Sequence, residues 1–441
     1  MSLQSTPAVL AALAVLLAVP SAVRAIQPQS DEDLAREASD APAPSAPTVE
    51  EEIVVTAARL PEPAREVGSS VTVLDREDIE RRRVTTVLEL LRTVPGVEVS
   101  QGGGPGRVAG VFLRGGTTAQ TLVLLDGVRL NNPATAAFDF ADLTVDGIER
   151  IEVLRGPQSV LYGSEAMGGV VSITTRRGGE GLAGSVEAEA GSLGHRAARA
   201  AIRGGDEAFD WALAASTLEM DGVSAASEAA GNTEDDLWED TTFAGRAGFR
   251  FLGDGRADVT ARHVEAEAGL DGFTFGVGPT DDPNYLQSHR ITQVAVELSK
   301  PVTSRWRQEL TVGTVEDHLV GEDPDTPFHP FDVETRVAEV STRADLRISE
   351  EHRLLAGYAF ERREAANAGA FDESFDLSSA FLNHRWAWRE RLFVTAGLRH
   401  DDASDFGSET TYRATGAWLP GGGATRLHGS YGTGFRVPTF N

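Results

Sequence analysis

From Gly181 to the end of the chain, small or apolar residues alternate with polar ones in segments of about ten to fifteen residues separated by turns. In Leu392 to Arg399, the side chains of Leu392, Val394, Ala396 and Leu398 fall on one face, and those of Phe393, Thr395, Gly397 and Arg399 on the other. In Ser185 to Ala190, Val186, Ala188 and Ala190 oppose Ser185, Glu187 and Glu189. A period of two is the period of a strand, because successive side chains leave a pleated backbone on opposite sides. A tilted membrane strand takes about 9–11 residues to cross, and with that length as ruler there are roughly thirteen segments. Trp386 and Trp388 share one face of their segment, as the rings of an interfacial girdle do. A soluble β-sandwich or propeller would show more aliphatic inner faces and a wider mix of strand lengths. The pattern predicts an antiparallel transmembrane β-barrel, incomplete over this length, in the region 181–441.

Before it, 59–178 reads as an α/β domain. Val71 to Leu74 predicts a strand, and a helix starts at Asp75, with Val84, Val87, Leu88 and Leu91 at helical spacing and Pro95-Gly96 as its stop. Val111 to Leu113, Thr121 to Leu125, Ile148 to Leu154 and Val170 to Thr174 predict further strands, with Asp126-Gly127 as a turn after the second.

The N-terminus reads as export machinery. Ala8 to Val19 is an apolar core of about a dozen residues, and Val23-Arg24-Ala25 offers small residues around a cut after Ala25. Residues 1–25 are therefore a signal peptide. Residues 26–50, rich in Ala, Pro, Ser, Asp and Glu, are a linker whose composition cannot offset its ordering entropy. In 51–57 a β-branched run, Ile53-Val54-Val55-Thr56-Ala57, interrupts it and suits either a first strand or pairing with a partner's sheet edge.

Composition removes several function classes. The formal charge is −27, from 40 basic and 67 acidic residues, which opposes a nucleic-acid partner. There is no cysteine, so disulfide frameworks, thiolate nucleophiles and Cys-ligated zinc are excluded. The glycine-rich run Gly102-Gly103-Gly104-Pro105-Gly106 lacks the Gly-Lys-Ser/Thr of a phosphate loop. No hydrolase elbow or zinc spacing occurs, and no catalytic constellation is found, so no enzyme is expected.

Three runs then become specific. Val111-Phe112-Leu113-Arg114-Gly115, Val123 to Asn131 (with Asp126-Gly127-Val128-Arg129) and Ile148 to Val171 (with Arg155-Gly156-Pro157 and Tyr162-Gly163-Ser164-Glu165) resemble, in order and spacing, the plug of TonB-dependent outer-membrane receptors. Ile53 to Ala57 resembles the TonB box of that family. Ser100 to Gly103, Leu398 to Asp402 and Ser430 to Pro438 are similar to its cobalamin-receptor subgroup. The resemblance implies a plug inside a barrel of about 22 strands. It implies active import of a scarce ligand, cobalamin or a ferric siderophore, across the outer membrane of a Gram-negative cell. Its partners would be the TonB energy-coupling complex in the periplasm, the small-molecule ligand and outer-membrane lipid. A signal-transducing siderophore receptor is the alternative, and a non-functional fragment is another.

The resemblance also implies site residues. Arg114 and Arg155 are expected to pair with carboxylates of the barrel wall, since an enclosed guanidinium needs such a partner. Ser100, Gln101, Arg107, Thr135 and Asp139 are ligand-binding candidates on the outward loops. No cofactor is expected beyond structural calcium, for which the crowded carboxylates Asp235, Asp236, Asp240 and Asp281 are the candidates, with Asp282, Glu322, Asp323 and Asp325 in nearby loops. Roughly thirteen strands fall short of about 22, so the chain is expected to be a fragment, or the product of a damaged or split gene.

Overall fold

A computed structural model describes residues 54–55, 59, 61–224, 232, 235–274, 278–325, 331–422 and 425–440. The expected signal peptide and linker lie outside the described residues, as do Ile53, Thr56 and Ala57 of the β-branched run.

The N-terminal part begins with β1 (Val54–Val55) paired antiparallel to β2 (Glu62–Pro63). Next come β3 (Ser70–Leu74), α1 (Arg76–Arg82), α2 (Val87–Leu91), β4 (Val97–Gln101) and β5 (Ala109–Leu113). Then follow β6 (Thr121–Leu125), β7 (Val128–Arg129), β8 (Ile148–Arg155), α3 (Ser159–Tyr162) and β9 (Gly169–Thr175). Five of these strands form a sheet in the order β3-β8-β9-β6-β7, in which β6 and β9 are parallel. β6 is buried along its whole length, which is why its sequence is a continuous apolar run rather than an alternation. One of its faces joins a core with Leu88, Leu90, Ile151 and Ile173, and that core continues into Val264, Ile291 and Val315 of the wall. The other face packs with Leu161 and Val170 against Leu355 and Phe381 of the wall.

The expected single helix is two. Arg83 takes a left-handed conformation, with φ 49°, and ends α1. Thr86 then restarts the chain with a capping box, its hydroxyl accepting from the Glu89 N–H while the Glu89 carboxylate accepts from the Thr86 N–H. The Val87 N–H donates to the Leu143 carbonyl at 2.9 Å, a bond that an uninterrupted helix would forfeit.

The wall is a 13-stranded antiparallel sheet. Its first members are β10 (Gly181–Ala190), β11 (Arg196–Gly205), β12 (Phe209–Met220), β13 (Trp238–Phe251) and β14 (Gly255–Gly269). A hairpin of β15 (Gly272–Thr274) and β16 (Gly278–Thr280) stands apart in the next connection. The wall resumes with β17 (Leu286–Thr303), β18 (Trp306–Glu322), β19 (Phe331–Arg347) and β20 (His352–Asn367). It finishes with β21 (Phe371–Trp388), β22 (Leu392–Ala403), β23 (Gly407–Trp418) and β24 (Leu427–Gly432). Among the described residues β10 and β24 each have one neighbour, so the sheet wraps the plug without closing.

The two faces of the wall decide its solvent. Inward positions bury Gln293, Glu339, Glu361, Arg363, Ser379 and Arg399, whereas Val294, Val312, Val340, Phe360, Leu382 and Leu398 are exposed on the outside. Polar inside and apolar outside is the reverse of a soluble sandwich and is the pattern of a lipid-facing barrel. Trp306, Trp388 and Trp418 lie outward at the ends joined by short turns, and Met220, Trp238, Gly269, Leu286, Glu322 and Phe331, which bound the long connections, lie at the other end. Among the described residues no helix is long and apolar enough to cross a membrane.

Candidate functional site at the contact of plug and wall

The tight turn Asp126-Gly127, with φ 47° and 83°, reverses the chain between β6 and β7 and aims Arg129 into the wall. Its guanidinium donates to the carbonyls of Ser164 and Tyr162 at 3.0 Å each. It pairs with Glu165 of the plug and, at 3.4 Å, with Glu361 of β20. Arg363, two residues further along the same inward face, reaches Glu165 at 2.9 Å and Glu361 at 2.8 Å. Arg399 of β22 pairs with Asp401 at 2.8 Å and donates to the Leu161 carbonyl at 3.4 Å. Gly163 makes room for it, since a Cβ there would stand 2.7 Å from the Arg399 Nη2. All six charged groups are buried, and three guanidiniums meet three carboxylates. Burial pushes the Glu165 carboxyl up, but Arg363 and Arg129 more than offset it and hold it below the ordinary value. The arrangement locks plug to wall with charges that are favourable only while paired.

Two further contacts flank this lock. Toward the long connections, each ring nitrogen of His289 meets a carboxylate oxygen, that of Asp142 in the plug at 2.8 Å and that of Asp317 in β18 at 3.1 Å. The Trp238 indole N–H donates to the same Asp142 at 3.1 Å. Near the N-terminal segment, Arg385 of β21 pairs with Glu62 at 3.0 Å and with Glu66. Burial pushes the Glu62 carboxyl up to about 7, against the opposing pull of Arg385.

The residues singled out from sequence are placed differently. Arg114 and Arg155 do not pair with wall carboxylates among the described residues. Arg114, in a left-handed conformation with φ 53°, donates to Ser70 at 3.0 Å. Arg155 donates to Thr72 at 3.0 Å and to the Pro95 carbonyl. Both stay within the plug because β3, which pairs with β8, brings its own hydroxyls within reach. Arg129 crosses to the wall instead, and Arg177 also meets a wall carboxylate, that of Asp258 in β14 at 3.6 Å. Arg129 and Glu165 lie inside the very runs that carry the family resemblance, so motif reading could have found them. Glu361 and Arg363 show in sequence only as charges at alternate positions of one strand.

Of the ligand candidates, Ser100 and Thr135 are exposed at the end bearing the long connections. Gln101 is a loop brace, donating to the Gly104 carbonyl and accepting from Arg92, both at 2.8 Å. Asp139 accepts from the N–H groups of Ala109 and Ala141 at 2.8 and 3.0 Å, and burial pushes its carboxyl up. Arg107 is buried and pairs with Asp236 at 2.7 Å. That pair gives Asp236, one of the calcium candidates, a cationic partner from the plug.

The other three candidates do not gather either. Asp235 is exposed, Asp240 is buried and accepts from the Thr242 hydroxyl at 2.9 Å, and Asp281 accepts from Ser224 at 3.4 Å. Among the described residues, the carboxylates that could share a cation are Asp282, Asp323 and Asp325, with one oxygen of each within 4.8 Å of the others. Burial and then the Asp323 charge push the Asp282 carboxyl up.

Comparison with known proteins agrees with this geometry. Residues 63–170 match the model of the TonB-dependent Receptor Plug Domain, and residues 198–441 match that of the TonB dependent receptor-like β-barrel. The chain is 27% identical over 393 residues to the Vitamin B12 transporter BtuB of Photobacterium profundum, covering 88% of this chain and 62% of the relative. It is 40% identical over 147 residues, 33% of this chain and 24% of the relative, to the Vitamin B12 transporter BtuB of Vibrio cholerae. The crystal structure of the siderophore receptor PirA from Acinetobacter baumannii shares its fold with a TM-score of 0.70 at 16% identity, over 85% of this chain and 62% of that one. With the barrel model covering more than half of its length and the plug model preceding it in order, the chain belongs to the TonB-dependent receptors, plugged β-barrels of the outer membrane.

Proposed function

We propose that the protein imports a scarce ligand, cobalamin or a ferric siderophore, across the outer membrane by TonB-dependent active transport. The observation that carries this reading is the way the plug is held. Its charged contacts to the wall are buried ion pairs, each stable only when matched, so a pull on the N-terminal segment has a discrete set of contacts to break. That segment starts with Val54–Val55, whose backbone pairs with Glu62–Pro63 and is therefore competent to add to a sheet edge. The names of the relatives, vitamin B12 transporters and a siderophore receptor, support the two ligand classes.

In the full-length receptor, Val55→Pro removes a main-chain donor from that strand. Energised uptake of radiolabelled cobalamin or ferric siderophore is expected to vanish while binding at the cell surface persists. Normal uptake by the variant rejects the coupling role. Repeating the binding assay with a calcium chelator examines the calcium expectation, now carried by Asp282, Asp323 and Asp325. Unchanged affinity after chelation removes it.

A further inference from the structure

A chamber of about 830 Å³ lies between the plug and the short-turn ends of β17 to β20. The β6–β7 turn, β8 and Tyr162 form its plug side. Its volume is within the range of about 300–1,000 Å³ in which small ligands are held. The charge on its walls is uneven. Arg343 is matched by Glu309, Arg353 by Asp345 and Arg246 by Asp126. Arg305, Arg307, Arg347 and Arg59 also line it, and none of the four has an ion pair with a carboxylate among the described residues. Arg307 donates to Ser299 at 2.9 Å, and Arg59 lies over the Tyr162 ring at 4.4 Å. The Arg347 N–H donates to the Arg305 carbonyl at 2.8 Å, which holds those two cations on adjoining strand ends. Against these four stands Glu297, a lining carboxylate without an ion pair. Guanidinium forks gathered about one cavity fit carboxylate or phosphate oxygens.

We propose that this chamber is an anion-binding transit site, so that the ligand crossing the receptor presents carboxylate or phosphate groups on its way past the plug. The proposal rests on the import reading for its purpose but not for its test. Two probes separate the two anion chemistries. Radiolabelled citrate and radiolabelled pyrophosphate are dialysed to equilibrium against the full-length receptor in neutral detergent at low ionic strength. At least one probe is expected to bind at one site, and Arg305→Gln with Arg347→Gln is expected to weaken it about tenfold. The single change Arg307→Gln, weakening it by a smaller factor, keeps the test open if the double variant does not fold. Arg290→Gln with Arg362→Gln removes the same charge from the outer face of the wall and is expected to leave binding unchanged.

Absence of binding by both probes overturns the proposal. So does equal weakening by the outer-face control, which would mark a diffuse charge effect. Probe binding that survives the chamber variants overturns it as well. Loss of neither uptake nor binding in Val55→Pro, alongside specific probe binding, would reject the coupling role of the N-terminal strand and leave the chamber.

Discussion

Arg129, Glu165, Glu361 and Arg363 act as one unit, because each buried charge is satisfied by the others. Glu165→Gln leaves two guanidiniums short of a carboxylate, and breaking such a buried set costs about 3–5 kcal/mol. Urea titration of the full-length receptor, read by protease protection of the plug, is expected to show that loss. Adding Arg363→Met should cost less than the sum of the single changes, since it removes one of the stranded charges. Strict additivity would mean that the residues act independently. Glu62 gives the plug a pH dependence of a known sign. Its folded value of about 7 lies above the ordinary 4.5, so its contribution is full below about 4.5 and is lost as pH rises through about 7. The urea midpoint of the plug is expected to fall between pH 5.5 and pH 8, and Glu62→Gln should flatten that part of the profile. A variant that titrates like the parent would remove Glu62 from the explanation. The Arg129 pairing was within reach of motif reading, but its partner Glu361 lies 232 residues away, and no local pattern joins them.

At the scale of elements, the local signals were legible wherever burial was one-sided or complete. The apolar run Thr121–Leu125 read as a strand because both of its faces are covered. Leu392 to Arg399 read as a lipid-facing strand because its period is two, and the strand runs on to Ala403. The α1–α2 break was not legible, since Val84, Val87, Leu88 and Leu91 keep helical spacing across it. Only the bond from Val87 to Leu143 and the bridge of Thr86 to Thr144 require the restart. Thr86→Ala deletes the cap and is expected to cost the plug about 1 kcal/mol in the same titration. No measurable change would show that the packing of Leu88, Leu90 and Leu91 alone holds α2.

The whole molecule is organised by the bilayer. Outward tryptophans mark one rim of the wall, and outward ion pairs such as Arg290–Glu265 and Arg336–Glu316 mark the other. Val312 lies between them on β18, 43% exposed. In phospholipid vesicles, Val312→Arg is expected to destabilise the full-length receptor by about 2–4 kcal/mol, and Glu316→Arg by about 0–1 kcal/mol. Equal effects would contradict the depth assigned here.

The sequence by itself determined the class of fold, because a period of two over long segments and an unbroken apolar run in the plug are local consequences of which faces meet lipid or core. It also determined the family, through contiguous plug motifs. Which charges meet was decided only by tertiary structure. Arg114 and Arg155 stay inside the plug while Arg129 crosses to Glu361, and Arg107 claims Asp236 from the acidic loops. A guanidinium can satisfy itself on any carboxylate or carbonyl within reach, and reach depends on how the wall wraps the plug.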